Sequence, residues 1–73
     1  MNADSEEEAA VELQVVGIAV AAYQADHDGN LPTVEGFPRA DEMDDYIPGG
    51  VAALLGTYTL DGTTGEVTQT SYP

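Results

Sequence analysis

The chain reads as an α+β protein, with one long N-terminal helix packed on a small antiparallel sheet made by a C-terminal hairpin. Two observations carry that reading. Apolar residues recur at the helical period of about 3.6 as far as Asp26, whereas from Thr57 they alternate at the strand period of about 2. Between these stretches, Asp26-His27-Asp28-Gly29-Asn30-Leu31-Pro32 is a helix stop. Gly29 supplies a left-handed C-terminus, and Pro32 prevents the helix from resuming. At 73 residues the chain is a single domain, 1–73. It lies near the lower limit for folding alone, where roughly 60% of the unfolded surface is buried.

The helix is expected from about residue 4 to 26, about six turns. Ser5 and Glu8 fit a capping box, and Glu6, Glu7 and Glu8 suit the positive end of the helix dipole. Its apolar side chains fall into two stripes. One holds Ala9, Leu13, Val16, Val20 and Tyr23; the other, nearly opposite, holds Val11, Val15, Ile18 and Ala22. Glu8, Glu12 and Asp26 separate them on one side. A surface helix of a monomer needs one apolar stripe. Two stripes therefore mean a helix sandwiched within its own domain or one that meets another molecule. Leu13, Val16, Val20 and Tyr23 are assigned to the core, because Tyr23 lies next to the loop and its apolar residues Leu31 and Phe37. Gly17 costs about 1 kcal/mol against alanine in a helix interior, a cost that close approach of another backbone would explain.

Residues 28–50 are a loop rich in turn formers: Gly29, Asn30, Pro32, Gly36, Pro38, Pro48, Gly49 and Gly50. Leu31, Val34, Phe37, Met43, Tyr46 and Ile47 follow no period and tie the loop to the helix. A helical turn over 40–45 would let Met43 and Ile47 dip inward. Val51–Leu55 is either a short strand or a helical turn.

The hairpin spans 57–70. Thr57–Leu60 and Glu66–Thr70 are rich in β-formers and flank the turn Asp61-Gly62-Thr63-Thr64-Gly65, whose two glycines are free to take positive φ. Tyr58 and Leu60 share a face, answered by Val67 from the partner strand.

Fourteen acidic residues face Arg39 alone, with no lysine, for a net charge of −13. Phosphate binding requires a basic surface, so nucleic acid is not an expected partner. Anionic headgroups repel the chain for the same reason. The acidic runs Glu6–Glu8 and Asp41–Asp45 read as solvated faces, and a saline environment would screen their repulsion. Val15–Ala22, interrupted by Gly17, falls far short of the roughly 20 residues of a spanning helix.

The chain does not read as an enzyme. It has one histidine, His27, and no cysteine, and its two serines, Ser5 and Ser71, lie near the ends. A nucleophile, base and orienting group must converge in a pocket, and nothing in this spacing brings them together. His27 reads as an exposed residue at the negative end of the helix dipole, beside Asp26 and Asp28. Asp26-x-Asp28-x-Asn30 is not an EF-hand, since Gly29 falls at the fourth loop position and Phe37 at the twelfth. No cofactor and no dedicated metal site are expected.

The helix end with Tyr23-x-x-Asp26-x-x-Gly29-x-x-Pro32 resembles the end of the long N-terminal helix in type IV pilins and type II secretion pseudopilins. Gly56-Thr57-Tyr58-Thr59-Leu60-Asp61-x-x-Thr64-Gly65-x-Val67-Thr68 resembles the C-terminal hairpin of small bacterial pilin-like proteins. Together they span nearly the whole chain in order. The resemblance implies a structural subunit of an extracytoplasmic filament, at the cell surface or in a periplasmic pseudopilus, partnered by other copies or related pilins. It further implies that Val11, Val15, Ile18 and Ala22 form the seam between subunits. Pilins begin with a processing site and a hydrophobic half-helix, which is their only membrane contact. Neither is seen here, and Met1-Asn2-Ala3-Asp4 runs straight into mid-helix sequence, so a truncated soluble part is expected, with a naturally headless pilin as the other reading. A C-terminal disulfide, the tryptophan-proline segment before the first strand and the major pseudopilin's calcium loop are also missing. The alternative function is a stand-alone acidic module that partners a short pilin or another apolar or basic protein.

Overall fold

A computed structural model describes residues 3–73, with side chains from Glu6 onward, which leaves the expected Ser5–Glu8 capping box outside the described residues. The elements are α1 (Ala3–Asp26), α2 (Ala40–Met43), a 3-10 turn (Val51–Ala53), β1 (Thr57–Leu60) and β2 (Val67–Ser71). The architecture is α+β: a 24-residue helix lies against a two-stranded antiparallel sheet, with the middle segment folded into the space beside them. No helix among the described residues is long and apolar enough to cross a membrane.

Helix α1 stops where the Asp-Gly pair turns left-handed. Asp28 (φ 58°) and Gly29 (φ 85°) both take positive φ, and aspartate is among the few residues that tolerate this. The Gly29 N–H donates to the Gln24 carbonyl (2.8 Å), and Gln24 Nε2 donates back to the Gly29 carbonyl (3.1 Å). The exit is thus closed from both sides.

The strands pair Tyr58 with Gln69, Thr59 with Thr68 and Leu60 with Val67, with an irregularity between Thr57 and Tyr58. In the connecting turn, Asp61 Oδ1 accepts from the N–H groups of Thr63 (2.7 Å) and Thr64 (3.0 Å). Gly65 takes positive φ, and Gly62 does not. The second strand begins one residue later than its β-former run, because the Glu66 N–H turns to Thr64 Oγ1 (3.2 Å).

The core combines Val16, Ala19 and Val20 of α1, Phe37, Met43 and Ile47 of the middle segment, and Tyr58 and Leu60 of β1. Met43 ends the short helix α2 and Ile47 follows one turn later, so both reach inward. Within the expected helix core, Val16 and Val20 are buried, whereas Leu13 and Tyr23 are half-buried and pack against the rim. Ala19 replaces them at 1% exposure. It lies on the flank between the two stripes, where a small side chain lets the middle segment close on the helix.

Candidate interaction face on helix α1

From Ala9 to Ala25 the helix carries one charged residue, Glu12. Its carboxylate is turned toward the rest of the domain. Glu12 Oε2 accepts from the Leu55 N–H (2.9 Å), and Oε1 accepts from the Gly56 N–H (2.7 Å) and the Tyr58 hydroxyl (2.7 Å). Gln69 Nε2 donates to the Tyr58 oxygen (2.8 Å) and to the Ala9 carbonyl (2.9 Å), extending the network across both strands. Desolvation pushes the Glu12 carboxyl upward, but the bonds from Leu55, Tyr58 and Gly56 outweigh it and hold the group below its ordinary value. Desolvation also pushes the Tyr58 hydroxyl up to about 12, opposed by Gln69 and reinforced by Glu12.

With that carboxylate occupied, the outward face of α1 is uncharged for most of its length. Ala10, Val11, Gln14, Ile18, Ala21 and Ala25 are exposed, Val11 by 59% and Ile18 by 61%. A Cβ built on Gly17 meets nothing within 4 Å. The four expected seam residues divide here. Val11 and Ile18 are open to solvent, whereas Val15 and Ala22 are half-buried at the border of the covered side.

Beside this face lies an open groove of about 400 Å³. It is lined by Glu7, Glu8, Val11, Glu12 and Val15 of α1, by Ile47, Pro48, Ala53 and Leu54 of the segment after α2, and by Tyr72 beyond β2. The sequence reading did not connect Ala53, Leu54 or Tyr72 with the helix. The Glu12 clamp holds the chain at Leu55 and Gly56, the residues that follow Leu54. A lone carboxylate inside a long uncharged helical run was the available signal.

Other carboxylates also anchor loops. Glu42 accepts from the N–H (2.9 Å) and hydroxyl (2.7 Å) of Thr33, and Asp44 accepts from the Val51 N–H (2.7 Å). The Asp41–Asp45 run is therefore more than the solvated face expected of it, since loop N–H groups without a secondary-structure partner need acceptors. At the end of α1, His27 is exposed and its ring stacks on Tyr23 at 3.8 Å, with Nδ1 2.8 Å from the Tyr23 carbonyl. Asp26 accepts from the Tyr46 hydroxyl (2.8 Å), and that bond raises the Tyr46 hydroxyl above its ordinary value. Among the described residues no cluster of three His, Cys, Asp or Glu side chains is placed to hold a metal ion.

Compared with protein-family models, curated proteins and solved structures, the chain matches none.

Proposed function

We propose that the chain is the globular part of a structural subunit of an extracytoplasmic filament of the type IV pilus or type II pseudopilus kind, working by helix–helix assembly. The observation that carries this reading is the uncharged outward face of α1 on a chain of net charge −13. Copies this acidic repel one another, so a lasting contact between them needs a surface free of carboxylates. The outward face provides one, and its small residues Ala10, Gly17 and Ala21 suit the 8–10 Å axis separation of packed helices. The partners are other copies or related subunits, and membrane contact belongs to a hydrophobic half-helix joined ahead of α1.

The test places Ile18→Asp in two contexts. In the 73-residue chain the substitution leaves the fold intact, because Ile18 is already 61% exposed. Joined to a pilin-type hydrophobic half-helix, the unsubstituted chain forms filaments and the Ile18→Asp chain does not, since a carboxylate would be desolvated in the seam. Normal filaments from the variant would refute the reading. A second reading, a stand-alone acidic module that partners a short pilin or another apolar or basic protein, is favoured by the groove lined by Val11 and Leu54.

A further inference from the structure

We infer that the groove bounded by Val11, Val15, Pro48, Ala53, Leu54 and Tyr72 is a docking site for an amphipathic, lysine- or arginine-bearing helix of another protein. The inference rests on the acidic-module reading and names the chemistry of its partner.

Three features of the site select that occupant. Its walls are apolar and come from three separate parts of the chain: α1, the segment around the 3-10 turn, and the C-terminal residues. A groove of about 400 Å³ takes a few aliphatic side chains from one face of a helix. Its rim is anionic. Glu7 and Glu8 line the groove and are exposed, whereas the Glu12 carboxylate beside them accepts from three donors of its own domain. Tyr72, which also lines the groove, has its hydroxyl raised by desolvation and then by the charges of Glu12 and Glu8. An apolar side chain in the floor with a cation one turn away satisfies both parts of the site.

A second copy of this chain does not fit that description. It would bring fourteen further carboxylates and a single cation, Arg39, which already lies 3.5 Å from Asp41. Like charges brought face to face oppose docking. The outward face of α1 around Ile18 carries no charge and so avoids this, whereas the groove is bordered by Glu7 and Glu8.

The probe is a synthetic amphipathic helix of about four turns, leucine on one face and lysine on the other, titrated into the 73-residue chain and followed by amide chemical shifts. Two companion peptides carry glutamate in place of lysine, or serine in place of leucine. The expected result is saturable binding with the largest shifts at Val11, Val15, Ala53, Leu54 and Tyr72, and binding by the companions weaker by about tenfold or more. Ala53→Trp, at an exposed position, fills the groove and lowers affinity by a similar factor while shifts elsewhere stay native. Glu7→Gln with Glu8→Gln weakens binding and reduces its dependence on salt.

If the leucine–lysine peptide binds but its shifts spread over the acidic surface, or Ala53→Trp has no effect, the groove inference fails and the acidic-module reading survives. Equal binding by the glutamate peptide overturns the charge selection. Binding by none of the peptides overturns both. A concentration-dependent dimer of the chain alone, abolished by Ala53→Trp in sedimentation velocity, would show that a second copy is the occupant and overturn the inference.

Discussion

The Tyr58 hydroxyl donates to Glu12 Oε1 over 2.7 Å, joining the first strand of the hairpin to the middle of the helix. The same carboxylate oxygen takes the Gly56 N–H, and its partner oxygen takes that of Leu55. One side chain therefore sets the height at which the sheet sits on the helix, removes the only charge from the helix's central surface, and positions Leu54 for the groove. Tyr58→Phe should lower stability by about 1–3 kcal/mol, because Gln69 and Glu12 each lose a partner in a half-buried site. Glu12→Gln should cost a similar amount. Urea unfolding of the two single variants and the double variant checks this, and a double variant equal to the sum of the singles would show that the pair is not coupled.

Gly56 lies under this clamp. A Cβ there would stand 2.9 Å from the Ser71 carbonyl oxygen and 3.0 Å from Glu12 Oε1. The backbone oxygen cannot move aside without disturbing β2, so Gly56→Ala should cost about 1–3 kcal/mol. Thermal melting is sufficient to measure it.

Gly17 should behave in the opposite way. With open space where a Cβ would be, Gly17→Ala should stabilise the isolated chain by about 0.5–1 kcal/mol. In filaments it should slow or weaken assembly if another backbone approaches there. Stability measured on the chain alone, set beside assembly of the chain joined to a hydrophobic half-helix, separates the two effects.

The acid and alkaline limits have different origins. Glu12 and Asp61 are held below their ordinary carboxylate values. Their stabilising contribution is present above the unfolded carboxylate range and is lost as pH falls through the lowered folded values. Glu12→Gln should flatten that acid limb. Tyr58 is raised from 10.0 to about 12, so its contribution is complete below 10.0 and is lost as pH rises from there towards about 12. Tyr58→Phe should flatten the alkaline limb, which unfolding free energies measured across pH will show.

Added sodium chloride should raise the melting temperature. Fourteen carboxylates opposed by Arg39 repel one another, and the screening length falls to about 3 Å at 1 M salt. A melting temperature flat from low to molar salt would contradict this.

Core substitutions should follow the observed burial. Met43 is fully buried, so Met43→Ala should cost about 2–5 kcal/mol. Leu13→Ala should cost less, because Leu13 sits at the half-buried rim. Val11→Ala, at an exposed position, should stay within about 0.5 kcal/mol. Chemical denaturation of the three variants gives the order directly.

The sequence by itself determined the elements and their punctuation. The helix, its stop at Gly29, the inward turn that carries Met43 and Ile47, and the hairpin around Asp61–Gly65 all follow from rules acting over a few residues. The tertiary structure alone decided what those elements do to one another. The helical period presents two apolar stripes and cannot say which is covered; the sheet and middle segment cover Val16, Ala19 and Val20 and leave Val11 and Ile18 open. It cannot show that Glu12 faces inward either, because the donors that neutralise its cost of burial lie 43, 44 and 46 residues further along the chain. The groove has the same dependence: Val11, Leu54 and Tyr72 meet only once the chain has folded back on α1. Local patterns specify backbone geometry over a turn or two, whereas burial, partnering of carboxylates and the shape of an open surface depend on contacts between distant parts of the chain.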